Sequence, residues 1–309
     1  MTKYIVRRLL QMVPVILGAT FILFALVFAL PGEPWQGRCG ERECPPSYIA
    51  NFKQEYHLDK PLLVQYGIYL SRLVQGDLGT NFYNNRVIDE LAVRYPTTVK
   101  LALIAICFAV VIGITAGLVA GINRAGFLDT LVTVSTLVVI SIPVFVIGGL
   151  AQWGVLKLKL TDIIPVTATQ GTIGQLILPG LVLGSLSVAY VARLTRTNLV
   201  ENLRADYVRT AKAKGLGPGR VIGVHTLRNS LIPVVTFIGY EVGSLMGGAI
   251  VTERIFNING IGGFIFRSID QRDGVSVVGA VTVLVLVYLV VNLIVDVLYG
   301  VLDPRISHD

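Results

Sequence analysis

Long apolar stretches without charge constrain this chain more than any other feature. Five stretches contain no Asp, Glu, Lys or Arg: 9–32, 101–123, 130–156, 163–192 and 274–295. Each reaches the roughly 20 residues that a helix needs to cross about 30 Å of hydrocarbon. A sixth stretch, 231–252, is apolar except for Glu241 near its middle. Because a charge at the bilayer centre costs about 2.5–3.5 kcal/mol, these gaps between charges mark candidate spans.

Composition agrees with a membrane protein, since 53% of residues are hydrophobic and only 15% are charged. The sequence therefore predicts an all-α polytopic membrane protein with six transmembrane helices, forming a single domain over 1–309. A large external segment, 31–97, follows the first predicted helix. A cytoplasmic segment, 193–230, lies between the fourth and the fifth.

Basic residues predict the orientation, because short loops rich in Lys and Arg stay on the cytoplasmic side. Between the fourth and fifth spans the basic residues are Arg193, Arg196, Arg204, Arg209, Lys212, Lys214, Arg220 and Arg228, against the acidic Glu201 and Asp206. With six spans, both termini are then cytoplasmic. This topology accounts for most of the net charge of +7, so the lipid bilayer, and not nucleic acid, is the expected partner.

The external segment 31–97 is too long for a simple turn. Helix-compatible residues predict one or two short helices in 46–65 and another helix from Arg86 towards the second span. In 253–273, Gly260, Gly262 and Gly263 predict a tight non-helical connection. Cys39 and Cys44, with four residues between them, can form a disulfide in an oxidising compartment or remain free thiols.

The basic segment contains a short predicted helix, 207–216. Asp206 is a candidate N-cap, and Gly217-Pro218-Gly219 is expected to end the helix. Tyr207, Ala211 and Gly215 recur every four residues, which predicts an exposed face with small residues at its centre. This face can fit a groove of a partner protein, or the helix can rest on acidic lipid head groups.

Two stretches of this segment carry a resemblance: Tyr207-Val208-Arg209-Thr210-Ala211-Lys212-Ala213-Lys214-Gly215-Leu216 and His225-Thr226-Leu227-Arg228-Asn229-Ser230-Leu231-Ile232-Pro233. They resemble the EAA loop of ATP-binding cassette (ABC) importer permeases, whose pattern is E-A-A, three residues, G, nine residues, then I-x-L-P. Ala211, Gly215 and Leu227 fit this pattern, while Arg209 replaces the Glu and Arg228 the Pro. The Arg-Thr-Ala form is similar to the first of the two permeases in the branch that imports peptides and, in some members, nickel.

Other motifs extend the resemblance over nearly the whole chain: Arg7-Arg8-Leu9, Leu30-Pro31-Gly32, His57-Leu58-Asp59-Lys60-Pro61, Gly76-Asp77-Leu78-Gly79, Ser141-Ile142-Pro143, Glu253-Arg254-Ile255-Phe256 and Asp303-Pro304-Arg305. Two departures are Asn259, where a Pro usually precedes Gly-x-Gly, and the insertion with Cys39 and Cys44.

The resemblance implies a pore-forming permease in the bacterial cell membrane. Its implied partners are a second permease, two ATPases, an external substrate-binding protein and a peptide substrate. The residues implied to contact an ATPase are Arg209, Thr210, Ala211, Lys212, Lys214, Gly215 and Leu216. The chain has no G-x-x-x-x-G-K-[ST] loop, so we expect no enzymatic activity and no bound cofactor, with ATP and Mg used by the partner ATPases.

Glu241 and Asn292 are the candidates for the translocation path. An ionisable group inside a membrane is a functional hypothesis by default, although Glu241 can instead pair with a polar neighbour that holds the helices together. Asn292, one helical turn from Asp296, can equally serve packing. No metal site is expected, because His57, His225 and His308 are scattered.

Two alternatives to peptide import remain. One is a nickel-importing ABC permease, although the predicted spans contain no cluster of Cys or His. The other is an autonomous secondary transporter with Glu241 as its ion site, against which the absence of an obvious inverted repeat argues mildly.

Overall fold

The computed structural model of the chain describes residues 2–28, 35, 39 and 44–302. This part of the chain forms helices and turns, with an antiparallel bridge between Thr80 and Arg86. Two segments, π1 (Ala109–Gly113) and π2 (Val221–Leu227), are π-helical. The α-helices are α1 Thr2–Phe28, α2 Pro46–Glu55, α3 Leu62–Val74, α4 Val87–Phe108, α5 Ile114–Ile122, α6 Phe127–Ser141, α7 Val144–Lys157, α8 Ile173–Asn202, α9 Asp206–Ala213, α10 Pro218–Arg220, α11 Arg228–Ser230, α12 Ile232–Gly248, α13 Ile250–Ile255, α14 Ile261–Asp270 and α15 Gly274–Leu302.

The prediction of an all-α polytopic membrane protein is confirmed. Four described helical stretches are long and apolar enough to cross a membrane: Ile5–Phe28, Val87–Ile122, Ile173–Asn202 and Gly274–Val297. Two bent helix pairs bring the number to six if each pair crosses as one span. The six-span layout therefore stays a prediction that depends on these two pairs.

The third predicted span, 130–156, is wrong as a continuous helix. The chain there breaks between α6 and α7, which meet at 107°. Pro143 lacks an amide hydrogen and disfavours the helical conformation in the residue before it. Ile142 is accordingly extended, with φ −102° and ψ 126°, and a new helix begins after Pro143.

The fourth predicted span, 163–192, is displaced along the chain. Its helix, α8, begins ten residues later, at Ile173, and continues to Asn202. The predicted cytoplasmic segment 193–230 therefore begins inside a helix, so Arg193 and Arg196 lie on α8 rather than in a loop.

Contacts divide the chain into two compact units, Met1–Thr98 with Ile258–Asp309 and Val99–Asn257. The prediction of a single permease domain over 1–309 stays a prediction.

In the first unit α1 packs along α15, and α3 packs against α1. Tyr66 donates a hydrogen bond to the Leu17 carbonyl, 2.8 Å away, and the Tyr69 hydroxyl lies 2.8 Å from Thr282 Oγ1. Burial raises the pKa of Tyr69 to about 12.

The segment before α15 is helical, contrary to the prediction of a non-helical connection. Gly260 is extended, but Gly262 and Gly263 lie buried inside α14.

Asp273, before the first residue of α15, is 1% exposed. Its carboxylate accepts hydrogen bonds from Ser276 Oγ at 2.6 Å and from the Phe82 amide at 2.8 Å. One buried carboxylate therefore joins the start of α15 to the residues before α4.

In the second unit, α8 packs against π1 and α5 through glycines. Gly113, Gly117 and Gly121 recur every four residues and face α8. A methyl group on Gly113 would lie 2.7 Å from Val191 Cγ1, and one on Gly117 would overlap the Ala192 carbonyl oxygen. On α8, a methyl group on Gly184 would lie 2.6 Å from the Ala105 carbonyl oxygen. Small residues let these helix backbones approach closely, as is typical of helix pairs in membranes.

We expect Gly117→Ala to destabilise the second unit, because the added methyl group has backbone rather than a movable side chain in its way. The expected loss is about 1–3 kcal/mol of unfolding free energy, the usual cost of overpacking. Gly149→Ala on α7 is the matched control, since nothing lies within 4 Å of its added methyl group. Thermal unfolding in mild detergent measures both variants, and equal melting temperatures would refute the close approach.

Candidate functional site

The candidate site is the basic segment that follows α8, and its central element is α9. One side of α9 is apolar and buried: Val208 is fully buried and Ala211 is 6% exposed. Both pack with Val221 of π2, and Leu216 completes this cluster. Since residues three apart share a helix face, this cluster holds α9 against π2.

The position of Ala211 corrects the predicted face. Ala211 lies on the inner side of α9 and not at the centre of an exposed surface, because its methyl group fills the contact with Val221. The side chains that face outward include those of Arg209, Thr210, Lys212 and Lys214, with Gly215 beside them. We call these five residues the basic surface.

The start of α9 also differs from the prediction. Asp206 is the first residue of the helix and Ala205 occupies the N-cap position, where no side chain caps the helix. Asp206 Oδ1 lies 3.5 Å from Arg209 Nη1, and the two side chains are 96% and 75% exposed. Exposed pairs of this kind contribute about 0–1 kcal/mol, so Arg209 is only weakly held.

The helix α9 ends at Ala213, three residues before the predicted end at Leu216. Gly215 forms the turn that ends it. With φ at +75°, Gly215 lies in the left-handed region that glycine adopts without steric cost. Its amide donates to the Lys212 carbonyl at 2.9 Å, and the Leu216 amide donates to the Ala211 carbonyl at 3.3 Å. This pair of bonds is the Schellman motif, and it turns Leu216 back onto the apolar cluster.

Gly217-Pro218-Gly219 was expected to end the helix, but Pro218 begins the next helix instead. It is the first residue of α10, a position where proline is favoured because its missing amide hydrogen has no helical partner. The chain then runs through α10, π2 and α11 to Leu231. Residues 214–217 therefore separate α9 from the helical run of α10 and π2, and α9 packs against π2.

A network of side-chain hydrogen bonds that includes Tyr207 of α9 was not predicted from the sequence. Tyr207 Oη donates to Asn202 Oδ1 at 2.6 Å, and Asn202 Nδ2 lies 3.2 Å from Ser230 Oγ. Ser230 Oγ donates to the Thr226 carbonyl at 2.8 Å, and both residues are fully buried. Residues of α8, α9, π2 and α11 thus share one set of hydrogen bonds.

An ion pair between α6 and α8 was also missed. Arg196 donates from Nε and Nη2 to the two carboxylate oxygens of Asp129, at 2.9 and 2.8 Å. Asp129 also accepts from the Ala125 amide at 2.9 Å and is 5% exposed. A carboxylate this buried is held ionised by its partner and hydrogen bonds, so Arg196 joins α8 to α6.

Glu241 lies on α12 in the second unit, half-buried, and its Oε1 accepts a hydrogen bond of 2.6 Å from Ser187 of α8. Ser187 is 1% exposed. Asn292 lies on α15 in the first unit and is half-buried. One turn further along α15, Asp296 Oδ2 lies 3.3 Å from Arg8 Nε of α1.

Cys39 and Cys44 are joined by a disulfide. Cys44 packs against a cluster formed by Trp35, Phe52 and Val275. The Lys53 ammonium lies 4.9 Å from the centre of the Trp35 ring, within the range of a cation–π interaction. Among the residues that the structure describes, no group of three or more His, Cys, Asp or Glu side chains could hold a metal ion.

Comparison with known proteins identifies the family. Residues 113–308 match the family described as binding-protein-dependent transport system inner membrane component, and residues 1–102 match the family of its N-terminal part. The chain is 37% identical to the dipeptide transport system permease protein DppB of Alkalihalophilus pseudofirmus, over 100% of both chains. It is 37% identical to the di/tripeptide transport system permease protein DppB of Pseudomonas aeruginosa, over 100% of this chain and 99% of the relative. It is 36% identical to the glutathione transport system permease protein GsiC of Pectobacterium atrosepticum, over 100% of both.

These matches cover nearly all of the sequence, and they confirm the resemblance seen in its motifs. The chain belongs to the family of inner membrane components of binding-protein-dependent transport systems, the permeases of ABC importers.

Proposed function

We propose that the chain is a permease subunit that forms, with a second permease, the translocation path of an ABC importer for peptides. The observation that carries this proposal is the construction of α9: an apolar face holds the helix to its own chain while the basic surface faces outward. The names of relatives that align over the whole chain support peptides as the substrate class.

The basic surface is the proposed contact with an ATPase. Arg209, Lys212 and Lys214 carry positive charge, and Thr210 and Gly215 allow a partner to approach the backbone. A groove with acidic residues would complement these charges, which favours correct orientation and fast association. Ala211 and Leu216 contribute indirectly, because they hold the helix that presents the surface.

ATP and Mg belong, in this proposal, to two separate ATPase subunits. The chain has no phosphate-binding loop of the G-x-x-x-x-G-K-[ST] type, so it uses energy without hydrolysing ATP. Closure of the ATPases would displace α9 and bias the permease between inward-open and outward-open states, as a ligand biases any two-state equilibrium.

Orientation and location follow from the same proposal. The basic surface faces the cytoplasm with both termini, in a bacterial cell membrane, and an external binding protein delivers the substrate. The Cys39–Cys44 disulfide is compatible with an external position for its segment, because such bonds persist in oxidising compartments.

Glu241 and Asn292 are the residues that we propose for the translocation path. The Glu241 carboxylate keeps one oxygen for a second partner while the other accepts from Ser187, so it can take a donor such as the amino group of a peptide. Asn292 offers both a donor and an acceptor in an otherwise apolar helix.

We expect Gly215→Val to weaken ATPase binding and uptake, because a β-branched residue at φ +75° costs roughly 1–2 kcal/mol and unwinds the end of α9. Gly215→Asn should retain most of the activity, since asparagine tolerates this conformation. Co-purification of the ATPases and peptide uptake in proteoliposomes measure the effect. Gly219→Val, at a nearby exposed glycine with φ outside the positive range, is the control. Normal assembly and uptake in Gly215→Val would contradict the proposed contact.

We expect Glu241→Gln to insert and assemble normally but to transport about tenfold or more slowly, because a hydrogen bond to a charged group is worth about 1.5–3 kcal/mol. Glutamine keeps the shape and can still accept from Ser187. The measurement is the initial uptake rate at saturating ATP, with Ser187→Ala as the comparison. Uptake at the wild-type rate would leave Glu241 with a packing role.

Reconstitution of the complete importer tests the substrate. We expect ATP-dependent accumulation of a radiolabelled dipeptide when both permeases, both ATPases and the binding protein are present. Accumulation of Ni²⁺ and not dipeptide would replace peptide with nickel as the cargo. Solute movement by the isolated chain, driven by a proton gradient without ATP, would identify a secondary transporter instead.

A further inference from the structure

The geometry points to Asn202 as a positioning residue that carries the displacement of α9 into both α8 and α11. This inference rests on the proposed function, because it concerns how a push from an ATPase on the basic surface reaches the membrane helices. The side-chain hydrogen bonds of Asn202 go to Tyr207, Asn198 and Ser230, and not to the basic surface or Glu241. Asn202 acts through Tyr207 on one side and Ser230 on the other.

Asn202 is the last residue of α8, and its amide uses both of its functional groups. The carbonyl oxygen accepts from the Tyr207 hydroxyl at 2.6 Å, which attaches α9. The amide nitrogen donates to the Asn198 carbonyl at 2.9 Å and reaches Ser230 Oγ at 3.2 Å, which attaches α11. A side chain without both a donor and an acceptor cannot make these bonds together.

The Ser230 side of the network is buried, so its hydrogen bonds are costly to leave unmade. Ser230 Oγ donates to the Thr226 carbonyl at 2.8 Å, and Thr226 Oγ1 donates to the Val221 carbonyl at 3.0 Å. Both acceptors lie in π2, the segment that α9 packs against. Only Leu231 separates α11 from α12, the helix of Glu241.

The apolar cluster alone does not connect α9 to α8. Val208 and Ala211 contact Val221 and Leu216, all of which lie after α8 in the chain. Apolar contacts are also non-directional, so they allow a helix to slide. The Tyr207–Asn202 hydrogen bond is directional and short, and it ties the start of α9 to the end of α8. A displacement of α9 would therefore move α8 and α11 together.

The test uses the complete importer in lipid nanodiscs and proteoliposomes, with Asn202→Ala compared against Asn198→Ala. Asn198 lies one turn earlier on the same face of α8 and is similarly half-buried, but its side-chain amide donates to Leu194 of its own helix. Three quantities are measured: ATPase co-purification, ATP hydrolysis and peptide transported per ATP. Tyr207→Phe removes the hydroxyl that bonds Asn202 Oδ1. Ser230→Ala removes the hydroxyl that Asn202 Nδ2 reaches, which also donates to the Asn198 carbonyl at 3.3 Å.

We expect Asn202→Ala to assemble with the ATPases yet to lower the peptide transported per ATP by about two- to tenfold, the factor that corresponds to one ordinary hydrogen bond. Tyr207→Phe should give a loss of similar size, and combining it with Asn202→Ala should add little, since both break the same connection. Asn198→Ala should keep the wild-type ratio. A merely structural role would lower thermal stability and yield without changing this ratio.

An unchanged ratio in Asn202→Ala, or equal losses in Asn202→Ala and Asn198→Ala, would overturn the inference. If Asn202→Ala does not fold, Tyr207→Phe still decides, because an unchanged ratio in that variant would overturn it as well. Failure of the proposed function looks different. The wild-type chain would then recover no ATPases or would show no ATP-dependent uptake, before any variant is compared.

Discussion

The fold depends on the lack of hydrogen-bonding partners for the backbone within hydrocarbon. Each peptide group there must bond within its own segment, which leaves helices as the solution for a chain of this composition. Once the segments are helical, side-chain hydrophobicity no longer drives them together, because lipid is as apolar as leucine. Close backbone contact takes its place, and Gly113, Gly117 and Gly184 provide it where π1, α5 and α4 meet α8. These contacts make α8 a packing partner for most of the second unit.

Two pairs of polar side chains join helices of the second unit to α8. Asp129 and Arg196 join α6 to α8 by two hydrogen bonds, and Glu241 and Ser187 join α12 to α8. Because α8 takes part in both pairs, a change in its position changes the surroundings of α6 and α12 as well. Under the proposed function, this arrangement would let α8 pass a movement from the basic segment to the rest of its unit.

The charge-free stretches predicted the class of fold and the four membrane-length helices that the structure describes, one of them displaced along the chain, because the cost of a buried charge is decided locally. They did not predict the break at Pro143, since an apolar stretch looks the same whether its helix is straight or bent. The inner position of Ala211 depends on Val221, ten residues further along, and helical periodicity within α9 cannot include that partner. The bond from Asn202 to Ser230 spans 28 residues, so it too lay outside any local pattern. The basic composition of the segment was visible in the sequence, whereas the side chains that hold it in place were not.

The two sides of α9 make different kinds of interaction: one side is apolar and buried, and the other carries exposed basic side chains. Under the proposed function, exposed charges would orient an ATPase partner and speed its association, and they leave no large apolar surface against lipid or water. Exposed charges, however, fix position poorly, as the weak Asp206–Arg209 pair illustrates. Fixed position must therefore come from the other side of the helix, where Val208 and Ala211 supply burial and Tyr207 supplies direction through Asn202. In the proposed mechanism, a push on the basic surface would then move α8 together with α9.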